Sequence, residues 1–418
     1  MKKWLFSLAM VLAVCSCSDD EPSMPVEPDS ASDMTVMAYL VADNNLNSYL
    51  RTNISAMYDG LADVAQSAAL LVYWDGQSAI KLEDGKSYSN PVVLKYETDG
   101  KGNINGRPVL DAGATVEDVL ALAEVVKEYP SQVSTVPTVV TQVLKDMVSM
   151  TKTNKIGLVA GSHGSAWVNS IFPYNGRSFG QAASDNTLLI PDMADAMKAT
   201  GKTFDFLLFD ACMMGTAEVC YELKEVTNYQ IVSVVDIPAA GFPYEDMMSC
   251  LYTGNVDGYK QACQTYLDTY RDLAQFSSNA WGAVSLVDSK ELDALASLVK
   301  EQVVGHKDTL ANYDVGGLQQ YGLNPAATGF KHISVDMKQL MTDLNGGTLP
   351  TAFQTQLDKV VLYADCLENT VYFKIDKDNY CGMGMYVPVS TRSAWNQYFK
   401  TIDWYTAAGW SEVTFSWE

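Results

Sequence analysis

Two residues in this sequence have the chemistry of a nucleophile and of a proton carrier. His163 is flanked by glycine, directly after the apolar run 155–160, and Cys212 follows the apolar run 204–209. A cysteine thiolate attacks carbonyl carbon, and an imidazole transfers protons near neutral pH. A helical pattern follows Cys212, so we expect this cysteine at a helix N-terminus, where unpaired backbone N–H groups stabilise a thiolate. The alternative is a small buried apolar residue.

The surrounding elements predict that these two residues lie close together. Apolar strand patterns alternate with helical patterns along the first part of the chain, which indicates an α/β domain with a largely parallel sheet. Functional groups collect beyond the carboxyl ends of such strands, where both His163 and Cys212 fall. Residues 43–45, Asp-Asn-Asn, follow the first strand. They either line the cleft or cap the next helix, and we do not count them as catalytic.

Longer sequence segments resemble the clostripain family, in the clan of cysteine peptidases that includes caspases, legumains and gingipains. The segments that carry this resemblance are Tyr39 to Leu46, Gly161 to Trp167, Phe209 to Gly215, Gly241 to Tyr244 and Gly382 to Pro388. The resemblance implies a caspase-like three-layer α/β/α sandwich with a mostly parallel sheet, followed by a mainly helical C-terminal region. We place the catalytic domain at 34–254 and the helical region at 255–418, with the strand 381–388 returning to the sheet.

The same resemblance implies roles for individual residues. Cys212 would attack the peptide carbonyl, and His163 would act as general acid and base. Backbone N–H groups of Gly164 and Cys212 would hold the oxyanion. The family cuts after Arg or Lys, and Asp210 matches its pocket acid, although helix N-capping would also explain an aspartate there. Asp236 is a second candidate acid, at a strand end where the family more often has glutamate.

Maturation by self-cleavage between the histidine and the cysteine strands is common in the family. In this interval Arg177 and Ser178 lie in a glycine-bearing loop, and we expect the bond between them to be the activation bond. Lys198 and Lys202 are poorer candidates, because they lie in or beside a predicted helix.

The first residues are typical of an exported lipoprotein. A basic start followed by a short apolar run predicts a signal peptide over 1–16. The apolar run is too short to span a membrane. Cys17 resembles the acylated cysteine of a bacterial lipobox, although ordinary signal cleavage beside an incidental cysteine is the alternative. Residues 17–33 are acidic and proline-rich, which predicts an extended tether. The acidic cluster resembles the Bacteroides-type export signal, so we expect a lipid anchor in the outer membrane, facing the exterior.

Charge and motifs narrow the range of partners. The formal charge is −22, and removal of the two lysines of the signal gives 26 − 50 = −24. Such an acidic surface argues against nucleic acid as a partner. It would attract basic polypeptides, but a solvated surface without any partner preference explains the charge at least as well. No cofactor is expected to be required; calcium promotes activity in some members of the family, but no EF-hand spacing occurs, and no metal site is assigned. A monomer is the default.

Two other functions are compatible with the sequence. A catalytically silent surface binding or adhesion protein could keep the same fold. A transpeptidase could use the same acyl-enzyme, with an amine in place of water as the acceptor.

Overall fold

The computed structural model describes residues 34–111, 113–168, 178–181, 186–278, 280–322, 333–368, 370 and 373–417. All of them belong to one compact unit. Within these ranges, no helix is both long and apolar enough to cross a membrane.

Strands are numbered β1 to β16 in chain order. They are β1 Thr35–Ala42, β2 Ala68–Gly76, β3 Ile80–Lys81, β4 Ser87–Tyr88, β5 Val92–Thr98, β6 Asn103–Ile104, β7 Arg107–Pro108, β8 Glu124–Glu128, β9 Ile156–Gly161, β10 Phe204–Asp210, β11 Thr227–Val232, β12 Ala283–Asp288, β13 Gln320–Tyr321, β14 Ser334–Asp336, β15 Val361–Cys366 and β16 Gly384–Met385.

The largest sheet has the order β15-β12-β11-β10-β9-β1-β2-β5-β6-β7, with β8 paired to β5. Its five central strands, from β11 to β2 in that order, are parallel. The strands on both sides of this centre are antiparallel. The predicted α/β class with a mostly parallel central sheet is therefore confirmed.

Strand β1 explains why helices cover both faces of this sheet. Every residue of β1 is buried. Met37 and Tyr39 belong to one apolar core, whereas Ala38 and Leu40 belong to the other. Because successive side chains of a strand point to opposite faces, an apolar strand requires cover on both sides.

The α-helices supply this cover, and the predicted helical C-terminal region is present. The helices are Asn47–Ala62, Val116–Ala121, Pro137–Ser149, Ile190–Lys198, Ala217–Glu222, Tyr244–Leu251, Val256–Ala274, Leu292–Gly305, Lys307–Leu310, Met337–Leu344, Thr351–Val360, Ser393–Phe399 and Asp403–Ala407.

The last part of the chain differs from the expected return of a strand to the large sheet. Strand β16 pairs with β14 in a separate three-stranded sheet. Beyond β11, the large sheet is instead extended by β12 and β15, both of which come from residues after 254. Strand β16 also contacts the segment after Cys212: Gly384 forms a parallel bridge with Thr216, and its backbone N–H donates to the carbonyl of Gly215 at 2.9 Å. The division of the chain at residue 254 stays a prediction.

Candidate active site

His163 and Cys212 follow neighbouring parallel strands at the same edge of the sheet. Strand β9 ends at Gly161 and β10 ends at Asp210, and these two residues lie opposite each other in the register. The N–H of Ser162 donates to the carbonyl of Asp210 at 3.2 Å, which continues the pairing by one residue. The loops that carry the two candidate catalytic residues therefore leave the sheet side by side.

The backbones of Gly164 and Cys212 are in direct contact. A Cβ atom added to Gly164 would lie 2.6 Å from the Cys212 carbonyl oxygen and 3.0 Å from the Cys212 nitrogen. Real Cβ atoms do not approach backbone oxygen this closely, so the contact requires glycine. The structure thus brings together the two residues predicted to supply oxyanion donors.

The position of Cys212 differs from the expectation in one respect. The helix after β10 begins at Ala217, and its N-cap is Thr216, whose hydroxyl accepts from the N–H of Val219. Cys212 lies in the turn before this helix, so the prediction of a helix-stabilised thiolate is wrong. The turn is a tight one, with Met213 at a φ of 61°, and its residues separate the strand from the helix.

The surroundings of the Cys212 thiol favour its protonated form. Its Sγ lies 3.9 Å from the carbonyl oxygen of Ile237, and the thiol is buried although the residue as a whole is partly exposed. Burial raises the pKa of the thiol well above its usual value, and the neighbouring Asp236 carboxyl raises it further. A reaction at Cys212 therefore has to include removal of the thiol proton.

The imidazole of His163 has a partner that sequence reasoning left aside. Its Nε2 lies 2.7 Å from Oδ1 of Asn45, in the loop after β1. This contact is not a helix cap, because the N-cap of the following helix is Leu46 and carries no side-chain cap. It agrees with the alternative that residues 43–45 line the cleft. The signal in the sequence was the position of Asn45 at the end of a strand that pairs with β9.

Asn44 fixes the loop that presents Asn45. Its buried Nδ2 donates to the carbonyl oxygens of Val41 at 2.9 Å and Gln181 at 2.8 Å, while its Oδ1 accepts from the N–H of Leu46 at 2.8 Å. The N–H of Gly180 in turn donates to the carbonyl of His163 at 2.9 Å. The segment 178–181 therefore links the β1 loop to the histidine loop.

Asp210 is a buried carboxylate near the candidate nucleophile. Its side chain is 6% exposed, and its Oδ2 accepts from Nδ2 of Asn53 at 3.1 Å and from the hydroxyl of Tyr244 at 3.0 Å. Burial raises its pKa to about 6, although these bonds and one from the backbone of Phe242 lower it. Because the helix after β10 is capped by Thr216, the capping explanation for Asp210 does not apply.

Asp236 lies on the same side of Cys212. Its carboxyl is close enough to the thiol to form a hydrogen bond and to raise the thiol pKa. Its backbone carbonyl accepts from Nε1 of Trp281 at 3.0 Å, which ties this loop to the start of β12. Cys212 therefore lies among two carboxyl groups, Asp210 and Asp236, with Gly164 against its backbone.

The remaining predicted residues are only partly described. Cys17 and Arg177 lie outside the described residues. Ser178 is fully buried, and its hydroxyl donates to the carbonyl oxygens of Val168 at 3.1 Å and Trp167 at 3.3 Å. In the part of the chain that the structure describes, no group of three or more His, Cys, Asp or Glu side chains could hold a metal ion.

Comparison with known proteins places the chain in a family. The model of the clostripain family of peptidases matches residues 38–417. The chain belongs to the clostripain family. This family consists of cysteine proteases, and its match covers His163, Cys212 and the sheet that positions them.

Individual relatives are distant. Clostripain from Hathewaya histolytica is 23% identical over 204 residues, which are 46% of this chain and 36% of that protein. The match thus spans little more than a third of that relative. An inactive zymogen protease from Parabacteroides distasonis has a TM-score of 0.70 at 25% identity, with 92% of this chain and 99% of that chain covered. A secreted cysteine protease from Bacteroides thetaiotaomicron, in complex with an irreversible peptide inhibitor, has a TM-score of 0.70 at 24% identity, over 91% of this chain and 100% of that chain.

Proposed function

We propose that this chain is a cysteine endopeptidase that cuts after Arg or Lys, with Cys212 as nucleophile and His163 as general acid and base. The contact between the Gly164 and Cys212 backbones carries this proposal. It puts the histidine loop against the cysteine loop. This supports a shared oxyanion site for the backbone N–H groups of Gly164 and Cys212, which acyl transfer requires. The family to which the chain belongs supports the same reading.

The reaction would proceed through an acyl-enzyme. His163 takes the Cys212 thiol proton as sulfur bonds to the substrate carbonyl carbon, and the oxyanion accepts hydrogen bonds from Gly164 and Cys212 N–H groups. His163 then gives its proton to the leaving amine, and the C–N bond breaks. In the second half, His163 takes a proton from water as the water oxygen bonds to the thioester carbonyl carbon. The C–S bond then breaks, the carboxylic acid product leaves, and the proton returned by His163 restores the thiol.

The proposed preference for Arg or Lys is supported by the carboxyl groups around Cys212. A basic side chain that leaves water needs a compensating anion. Asp210 is buried with a raised pKa, so at neutral pH it is an anion whose burial is costly, and a bound cation would relieve this cost. Asp236 would contribute a second negative charge on the same side of the nucleophile.

We also propose self-cleavage between Arg177 and Ser178. Because Ser178 is fully buried and hydrogen-bonded, this bond would have to be cut before residues 178–181 dock, or during a transient release of that segment. In either case, residues 178–181 dock after the cut, so their docking is a step of maturation.

The proposed location is the exterior face of the outer membrane, with Cys17 acylated and residues 17–33 as tether. This proposal is supported only by the sequence pattern. Labelling of cells with a fatty-acid analogue would test it: the label should be incorporated by the full chain and lost in Cys17→Ala. Removal of the protein from intact cells by an added protease would test its exposure.

Peptide reporters that end in Arg, Lys, Asp or Leu test the function itself. The full chain should release product from the Arg and Lys reporters only, and Cys212→Ala should release none. Mass spectrometry of the products separates hydrolysis from transfer to an added amine. A folded parent chain that cuts none of the four reporters would overturn the proposal and favour a silent binding protein.

A further inference from the structure

We infer that Asn45 is a positioning residue for His163: its amide oxygen fixes the proton on Nε2 and so directs Nδ1 toward the reacting atoms. This inference rests on the proposed function, in which His163 moves the proton. It assigns a task to a loop that the sequence alone left outside the catalytic residues.

The contact follows from the order of strands in the sheet. Strand β1 pairs in parallel with β9, and Leu40 lies opposite Gly161. The loops after these strands therefore leave the same edge as neighbours, and Nε2 of His163 comes within 2.7 Å of Oδ1 of Asn45. This is the distance of a well-formed hydrogen bond between an N–H donor and an oxygen acceptor.

The backbone of the loop that carries Asn45 is held by buried groups, while the Asn45 side chain is exposed and contacts His163. Asn44 is 6% exposed and binds three backbone groups of two different segments. The Ser162 hydroxyl donates to the Val41 carbonyl at 2.8 Å, which ties the residue before His163 to the end of β1. Both ends of the His163–Asn45 bond are thus anchored to the same strand.

An amide oxygen suits this position chemically. It accepts the Nε2 proton but does not ionise, so neutral His163 keeps its lone pair on Nδ1, ready for the thiol proton. When Nδ1 is protonated, both ring nitrogens are donors, and the Nε2 bond persists through the transfer. A carboxylate would favour the imidazolium and oppose release of its proton to the leaving amine.

The direct test is the tautomer of His163, measured by ¹⁵N NMR of the imidazoles in the full chain with Cys212→Ala. Only three histidines are present, and His163→Gln identifies the signal. We expect a single tautomer with the proton on Nε2. Adding Asn45→Ala should give a mixture, whereas Asn45→Asp, which keeps the acceptor oxygen but adds a charge, should keep Nε2 protonated and extend the imidazolium form to higher pH.

Asn47→Ala is the matched control. Asn47 lies two positions further along, and its side chain bonds to Gln77 N–H at 2.8 Å and to the Ser78 hydroxyl at 3.1 Å, away from His163. It should leave the His163 tautomer unchanged. An unchanged tautomer in Asn45→Ala would overturn the inference.

Activity provides the second readout, in chains that keep Cys212. Asn45→Ala should lower kcat on an Arg reporter about 10- to 100-fold with little change in KM, because a general base is misdirected while the substrate pocket is intact. Asn47→Ala should retain the parent kcat. An unchanged kcat in Asn45→Ala contradicts the inference. A parent chain without any cleavage contradicts the proposed function instead, and the NMR result then still decides the role of the bond.

Discussion

The environment of the Asp210 carboxylate destabilises the folded protein at neutral pH. Its carboxyl is buried, and its pKa is raised from 3.8 to about 6. A raised carboxyl pKa means that the folded state binds the proton more tightly than the unfolded state. Stability is therefore lost as the pH rises from about 4 through about 6, and the loss amounts to about 3 kcal/mol once the group is ionised in both states.

Asp210→Asn should remove this loss. Measured by urea unfolding in the Cys212→Ala background, the free energy of unfolding of Asp210→Asn relative to its parent should increase by about 3 kcal/mol between pH 4 and pH 8. The same substitution should abolish selective cleavage after Arg in the active chain. A stability difference that is the same at both pH values would contradict the buried, ionised carboxylate.

Substitution of Gly164 tests the proposed oxyanion donors. Gly164→Ala puts a Cβ atom 2.6 Å from the Cys212 carbonyl oxygen, so the two backbones must separate. We expect kcat to fall about 100-fold or more, as in the loss of an oxyanion donor, with cooperative unfolding retained. Gly305→Ala is the control, since a Cβ there meets no atom within 4 Å. Equal kcat values for the two variants would rule out the proposed donor.

Sequence reasoning found the side chains of the site but not all of their surroundings. His163, Cys212 and Asp210 could be found because each ends an apolar strand or follows it closely. The partner of His163 could not be assigned, because its contact depends on β1 lying beside β9. The expected stabilisation of the Cys212 thiolate was wrong because a turn separates Cys212 from the helix that begins at Ala217, while burial and Asp236 raise the pKa of the thiol.

Segment 178–181 lies on the C-terminal side of the proposed cleavage bond and pairs with residues on its N-terminal side. Its backbone pairs with the histidine loop, through Gly180 to His163 and through Ser165 to Ser178, and with Leu188 further along. Strands β9 and β10, on either side of the bond, also pair with each other. These contacts do not depend on an intact chain.

We therefore expect the two pieces to stay together after cleavage at Arg177. The cleaved protein should elute as one species in size-exclusion chromatography and separate into two bands only after denaturation. The Cys212→Ala chain should also elute as one species, and it should give a single uncut band after denaturation. Separate elution of the pieces without denaturant would contradict the pairing.

Some elements were misjudged from periodicity alone. The apolar spacing after Thr115 predicts a helix that continues to Val126, but the helix is Val116–Ala121, and Val126 lies in β8. Short apolar runs fit both periods, and pairing of β8 with β5 decides between them. Longer periodic segments are predicted better: the apolar spacing predicts a helix from Tyr259 to Phe276, and the observed helix is Val256–Ala274.

The whole molecule depends on residues after 254 to complete its sheet. Strand β12 covers the edge of β11, and β15 covers β12. Val284 and Leu286 of β12 are fully buried in the core that also contains β1 residues. A fragment that ends at 254 would expose the edge of β11 and lose this packing.

We predict that residues 34–254 alone do not fold cooperatively. Circular dichroism during urea unfolding should show no sigmoidal transition for this fragment, whereas residues 34–418 should show one. If the fragment 34–254 unfolds cooperatively and cleaves an Arg reporter, the sheet does not need the residues after 254. The division at 254 would then be a domain boundary.

Covalent labelling by a peptide ketone that carries an electrophilic carbon after lysine would identify the nucleophile of this chain. The described cysteines provide internal comparison, in particular Cys250, which is partly exposed as Cys212 is. Peptide mapping by mass spectrometry should find the label on Cys212 alone, and labelling should be much slower in His163→Ala. Labelling of Cys250 as fast as Cys212, or no labelling of the folded chain, would contradict the proposal that Cys212 and His163 form the site of a cysteine endopeptidase.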